Sequence, residues 1–423
     1  MRGGLIATPP RLAPLAGLPR LNAADRPPIA VALSGGGDSL ALLHLAKAWA
    51  DSAGRSLIAL TIDHGLHADS AAWGRFAAER AGRLGVPHLT LRWLGDKPST
   101  GLPAAARAAR HALLADAARS AGARVILLAH TADDLMETEI MRRMGVSAPS
   151  PRLWSPSPAW PQGRGVFLLR PLLGHRRGEL RSWLASLGET WIDDPANDDP
   201  RYSRTLARRR LGGCPIAASP PDELRPPAGW EAIEQGAGGE IALPRALLRH
   251  RPIEQRRLIG ALALCAAGTT RPPAAGSLER IANRIAAGDF IAGLAGARIE
   301  ARGERVLFCR EPGERARGGL LSAMLPVGES VFDGRFLIRA CEPGHSVAPL
   351  RGLAAQLPPA EHDRLRAVPA AARGALPAVI SPSGGVSCPI LASNDAVSAR
   401  PLGLARLHAA LGVIADERGA AGA

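Results

Sequence analysis

Between residues 29 and 211 the apolar positions alternate between two textures. The runs IAVALS (29–34), LIALTID (57–63), HLTLRWL (88–94), RVILLAH (124–130) and VFLLRPL (166–172) are too short for buried helices and predict strands. Stretches with helical spacing lie between them, at 40–49, 70–84, 103–121, 132–144 and 176–187. Strands and helices in alternation predict an α/β class, a parallel sheet joined by crossover helices. Ligands of such doubly wound sheets bind beyond the carboxyl ends of the strands.

The pattern changes further along. Residues 145–165 are crowded with Pro, Ser and Gly and predict no regular structure. The stretch 214–229 has the proline density of a linker. Residues 240–293 read as mostly helical, 297–311 alternate as paired strands would, and 318–415 read as a smaller mixed unit. The resulting division is a loose tail at 1–27, an α/β domain at 28–212, a Pro-rich linker at 213–238, a mainly helical domain at 239–315 and a small C-terminal domain at 316–423.

Charge sharpens this picture. Lys and Arg total 52 against 38 Asp and Glu, and only Lys47 and Lys97 are lysines. Arginine's planar fork of donors fits phosphate, so a polyanionic partner is one reading and an Arg-favouring genome is the other. No apolar run approaches the ~18 residues of a membrane span. The N-terminus is interrupted by prolines and arginines and does not read as a signal peptide. Cys214, Cys265, Cys309, Cys341 and Cys388 form no CxxC pair and no zinc spacing, which points to free thiols in the cytoplasm.

The strongest chemical signal is Ser34-Gly35-Gly36-Gly37-Asp38-Ser39, set between a strand and a helix. Glycines permit close backbone approach to an anion, and a helix N-terminus turns unpaired N–H groups toward it. Ser34 and Ser39 add hydroxyl donors. Asp38 would repel a phosphate unless a cation lies between them, so Mg²⁺ is expected there. The loop lacks the GK[ST] ending of a Walker P-loop. A second constellation, His130-Thr131-Ala132-Asp133-Asp134-Leu135-Met136-Glu137, follows the strand at 124–130. Thr131 and Asp134 have capping-box spacing, and Asp134 and Glu137 share a helix face. Arg107 and Arg110 also share a face, suited either to phosphate or to solvent. RYSRTLARRR (201–210) is the clearest basic segment.

SGGGDS after an apolar strand resembles the signature of the PP-loop ATP pyrophosphatases, which attack ATP at its α-phosphate. The second constellation resembles the HxxDDxxET segment of the tRNA(Ile)-lysidine synthase family. IDHGLHADS (62–70), AARAARHALL (105–114) and the stretch 168–204 are similar to further segments of that family. His111 stands where that family usually has tyrosine, Leu135 where it has glutamine and Thr205 where it has asparagine.

The resemblance implies a two-step ligation. The wobble cytidine of an isoleucine tRNA attacks ATP through its C2 oxygen and releases pyrophosphate. Free L-lysine then displaces AMP at C2 to give lysidine. It implies ATP at Ser34 to Ser39, Mg²⁺ at Asp38, and catalytic roles for Asp38, His130, Asp134 and Glu137. It implies tRNA contacts at Arg107, Arg110, Arg204 and Arg208. No membrane and no obligatory protein partner are expected. The alternatives are a PP-loop tRNA thiolation enzyme, a small-molecule synthetase and a non-catalytic tRNA-binding relative.

Overall fold

The computed structural model describes residues 19–146, 149–193, 203–211, 225–249, 252–311, 313 and 320–420. The chain divides into two compact units, Met1–Leu224 with Ile414–Ala423, and Arg225–Val413.

The first unit is built on a six-stranded sheet. In chain order its elements are β1 (Ile29–Ala32), α1 (Gly37–Ala53), β2 (Leu57–Asp63), α2 (Ser70–Arg83), β3 (His88–Arg92), α3 (Leu102–Ser120), β4 (Val125–Leu127), α4 (Ala132–Arg143), β5 (Trp154–Pro156), β6 (Phe167–Leu169), α5 (Arg177–Ser186) and α6 (Ser203–Leu211). The strand order is β3-β2-β1-β4-β6-β5. All pairings are parallel except β5 with β6. The α/β reading of 28–212 therefore matches the observed class.

Burial on both faces explains the apolar runs. Ile29 and Val31 enter one core with Leu40, Leu43 and Ala46 of α1 and Leu180 and Leu184 of α5. Ala30 faces the other way, into a core with Leu114 and Ala118 of α3 and Ile126 of β4. This period of two inside a continuous apolar strand is what a doubly covered parallel sheet requires. β3 is the edge strand of the sheet and buries none of its residues fully, and Leu89 stays exposed.

Three expectations need correction. The Pro-rich stretch 145–165 does contain regular structure, because β5 pairs with β6 as an antiparallel edge. The described part of the tail at 1–27 is not loose: Leu21 and Ala23 are buried, and Leu21 O accepts a hydrogen bond from Arg55. The last residues do not belong to a separate terminal domain. Glu417–Ala420 forms a single helical turn packed into the first unit, where Glu417 is fully buried.

The second unit opens with a five-stranded antiparallel sheet of β7 (Glu234–Gln235), β8 (Ile241–Pro244), β9 (Phe290–Leu294), β10 (Ala297–Arg302) and β11 (Arg305–Arg310). Helices α7 (Pro252–Ala267) and α8 (Ala275–Ala287) share its core through Ile259, Leu262 and Ile285. The segment expected to be mainly helical is thus mixed, and its strands pair as the alternation at 297–311 implied. Residues 320–401 add a four-stranded and a three-stranded antiparallel sheet. No helix among the described residues is long and apolar enough to cross a membrane.

Candidate active site

The glycine loop folds back on itself at the carboxyl end of β1. Helix α1 starts at Gly37, three residues earlier than the apolar pattern suggested, so Asp38 and Ser39 lie in its first turn. Ser39 Oγ donates to Gly36 O at 2.8 Å and accepts from the Ser34 N–H at 3.2 Å. The Ser34 and Ser39 hydroxyls are 3.1 Å apart. Gly35 has φ +84°, and a Cβ there would come within 2.6 Å of Ile192 Cδ1. The positive φ favours glycine at this position, and a side chain there would also push the Ile192 methyl aside. The Ile192 N–H donates to Gly35 O at 2.9 Å, so the chain after α5 runs directly over the loop. The first-turn N–H groups of α1 lack intrahelical partners, and the helix dipole adds to their pull on an anion.

The acidic residues of α4 meet this loop through an arginine. Arg177, at the start of α5, donates Nε to Asp38 Oδ2 at 2.9 Å and Nη1 to Glu137 Oε1 at 3.0 Å. Its Nη2 lies 3.6 Å from Asp134 Oδ2. Glu137 is fully buried and takes a second guanidinium on the same oxygen, from Arg208 Nε at 2.9 Å. Asp134 caps α4: its Oδ2 accepts the Thr131 N–H and the Thr131 hydroxyl, each at 2.8 Å. Asp133 accepts from Arg176 Nε and Nη2, both at 3.1 Å, and from the Arg177 N–H at 2.8 Å. Burial works against its charge, but these hydrogen bonds hold the Asp133 carboxyl below its usual range.

Asp38 differs from its neighbours. Burial pushes its carboxyl above the usual range despite the pull of Arg177. Its Oδ1 is buried and has no hydrogen-bond partner among the described residues. Such an oxygen suits a hard cation. No group of three His, Cys, Asp or Glu side chains among the described residues is arranged as a metal cage.

A basic cluster lies elsewhere at this end of the sheet. Arg107 is exposed and Arg110 half-buried on α3. Both act on His111 and on Arg170, at the end of β6. Arg170 is buried and donates Nη1 to Arg152 O at 2.8 Å and to Ser155 Oγ at 2.9 Å. Burial, then Arg107 and Arg110, pushes its guanidinium down to about 10. Burial and the three arginines push the His111 imidazole down to about 3, so it is neutral at ordinary pH. His64 follows β2, packs edge-on to Trp93 and is lowered by burial and by Arg110.

The structure therefore brings Asp38, Asp134, Glu137 and Arg208 of the expected site residues together around Arg177. Ser34 to Gly36 form the turn after β1, and Gly37 to Ser39 open α1. His130 lies half-buried between β4 and α4. Arg107 and Arg110 gather around Arg170 and His111. The side chain of Arg204, on α6, and the segment 194–202 lie outside the described residues. Sequence reasoning singled out neither Arg177 nor Ile192. Both sit inside the 168–204 stretch that resembled the family, which was the only signal for them.

Comparison with known proteins identifies the family. The PP-loop domain model matches residues 18–213. A tRNA(Ile)-lysidine synthase of Caulobacter vibrioides is 47% identical over 86% of this chain and 87% of its own length. One of Hyphomonas neptunium is 41% identical over 67% of this chain and 81% of its own. The chain belongs to the tRNA(Ile)-lysidine synthase family.

Membership in the tRNA(Ile)-lysidine synthase family makes the chain an enzyme of the ligase class with an ATP-binding PP-loop domain. The thiolation alternative is not favoured. None of the five cysteines lies in 1–213. Burial pushes the Cys265 thiol up to about 11 and those of Cys309 and Cys388 up to about 12, away from thiolate chemistry.

Proposed function

We propose that this chain ligates lysine to C2 of the wobble cytidine of a CAU-anticodon isoleucine tRNA, in the cytoplasm. An adenylated cytidine is the intermediate, and AMP and pyrophosphate leave. One observation carries this reading: the glycine loop and the α4 carboxylates converge on a single guanidinium, in a chain similar over most of its length to synthases of that name.

The first step moves negative charge onto phosphate. The first-turn N–H groups of α1 and the Ser34 and Ser39 hydroxyls are the donors for that charge. Asp38 Oδ1 is the oxygen for Mg²⁺, which supplies neutralisation of the ATP phosphates when bound. The second step needs the ε-amine of lysine in its uncharged form, although free lysine has a pKa near ~10.4. Asp134 and Glu137 are the carboxylates assigned to orient that ammonium and help remove its proton. His130, beside them in sequence, is assigned to the phosphate or the activated base. Arg107, Arg110, Arg204 and Arg208 are assigned to tRNA phosphates.

The test is incubation with ATP, L-lysine and CAU-anticodon tRNA, followed by mass analysis of the wobble nucleoside. Lysidine formation with stoichiometric pyrophosphate is expected. Pyrophosphate release without RNA would indicate a small-molecule synthetase, and tRNA binding without release would indicate a non-catalytic relative.

A further inference from the structure

One oxygen of each carboxylate assigned to lysine already accepts donors from the protein. Glu137 Oε1 carries two guanidinium donors, and Asp134 Oδ2 carries the Thr131 N–H and hydroxyl with Arg177 Nη2 beside them. One side chain, Arg177, links all three acids, from two different helices. It is mostly buried, with 17% of its side chain exposed. Burial opposes its charge, but Asp38, Glu137 and Asp134 more than compensate, so it is firmly protonated. Glu137 Oε1 already accepts two donors, its full complement, so an ammonium takes that oxygen only when one of the guanidinium groups leaves it.

We propose that Arg177 is a resident cation, a positioning residue that holds Asp38, Asp134 and Glu137 and is displaced from them by the ε-ammonium of lysine. The inference rests on the lysine-ligase reading above. The charge count favours exchange by a monovalent cation. Asp38, Asp134 and Glu137 carry three negative charges, against two positive charges on Arg177 and Arg208. Removing the Arg177 guanidinium from the oxygens and bringing in one ammonium leaves that balance as it was. Arg208, held on Glu137 from α6, stays as the fixed partner.

The consequence has a sign that separates displacement from mere support. In the wild type, lysine binds only to molecules whose Arg177 has swung away, so its apparent affinity is reduced by the fraction in that state. Arg177 holds two hydrogen bonds of 2.9 and 3.0 Å to charged partners, which keeps that fraction small. Arg177→Ala removes the competitor. Lysine should then bind more tightly, by at least about tenfold if the released state is below about a tenth of molecules. A scaffold residue would act in the opposite direction, because its loss would splay the carboxylates and weaken lysine.

The experiment is calorimetric titration of L-lysine into the full chain, wild type and Arg177→Ala, without ATP or RNA. L-norleucine, which lacks the ε-amine, is the control and should not respond. Methylguanidine probes the vacated position directly: it should bind Arg177→Ala, compete with lysine there, and leave the wild type unaffected. If the alanine variant does not fold, Arg177→Lys carries the test. Its single ammonium cannot span three carboxylates, so lysine affinity should still rise, by a smaller factor. Lysine binding that is unchanged or weaker in a folded variant overturns the inference. Wild-type lysidine formation, measured alongside, shows whether the functional reading has fallen with it.

Discussion

Replacing Glu417 with glutamine removes one charge from the most deeply buried ion pair of the first unit and keeps the side chain's shape. Glu417 is fully buried, and the Arg55 side chain is only 3% exposed. Arg55 Nη2 donates to Oε1 at 2.7 Å and Nη1 to Oε2 at 3.2 Å. Arg55 also donates to the carbonyls of Pro27 and Leu21, so it stays in place when its partner is neutralised. Breaking one side of a buried pair costs about 3–5 kcal/mol, because the remaining charge is left uncompensated. Detachment of the short 414–420 segment limits that cost, since it would let water reach Arg55. The segment has other anchors, however: Trp154 Nε1 donates to Ile414 O at 2.9 Å, and Arg20 Nη1 to Ala415 O at 2.6 Å. The lower end of the range, about 3 kcal/mol, is therefore expected. For a unit of roughly 230 residues this lowers Tm by about 6–12 °C. Tryptophan fluorescence is the assay, because seven of the eight tryptophans lie in residues 1–224. The double variant Arg55→Met/Glu417→Leu should recover most of the loss, as apolar replacement of buried pairs does. A shift below about 2 °C in Glu417→Gln would refute the argument that this pair anchors the C-terminal return.

Asp38→Asn keeps an acceptor for Arg177 but loses the charge offered to a cation, so it should fold normally and lose roughly a hundredfold or more of tRNA-dependent pyrophosphate release; turnover within tenfold of wild type would remove Asp38 from the metal role. His111 is neutral when folded down to about pH 3, whereas its unfolded value is near ~6.5. Between those values the unfolded chain binds one more proton, so stability falls as pH drops, by up to about 1.4 kcal/mol per pH unit, and is untouched above pH ~6.5. His111→Phe should flatten that acid limb, and parallel wild-type and mutant stability curves from pH 4 to 7 would contradict it. Arg204→Ala should weaken tRNA binding and reduce its log–log salt slope by about one. Arg208→Ala separates two roles: a slope that also flattens marks a phosphate contact, whereas lower turnover at an unchanged slope marks its bond to Glu137.

Features carried by neighbouring residues were legible in the sequence. The strand–loop–helix context of SGGGDS announced an anion site because glycine, hydroxyl and helix N-terminus are contiguous. The Thr131–Asp134 cap was legible from its three-residue spacing, and Leu57–Asp63 was legible to the residue, because its apolar run Leu57–Leu60, continued by Ile62, suits a strand covered on both faces. Boundaries shifted where tertiary contact decided them. α1 starts at Gly37, two residues after Gly35, which lies against Ile192, a residue that no local pattern ties to the loop.

Features made by distant residues were not legible. Arg177 reaches Asp38 across 139 residues and Glu137 across 40. In a chain whose positive charge is nearly all arginine, one more arginine in RPLLGHRRGEL carries no signal of its own. Glu417 sits in IADERG, which reads as a polar tail, and only Arg55, 362 residues away, makes it a core residue. The same limit bears on the carboxylates. Asp134 and Glu137 share a helix face in the sequence and suggest an open acidic surface. The fold instead fills that surface with guanidinium from α5 and α6, and leaves Asp38 Oδ1 beside it buried and without a hydrogen-bond partner among the described residues. Spacing along a helix identifies which acids can act together. What they act on depends on which cation the packing of α5 and α6 delivers to them, so the chemistry of this site is decided by exchange at Arg177 rather than by the acids alone.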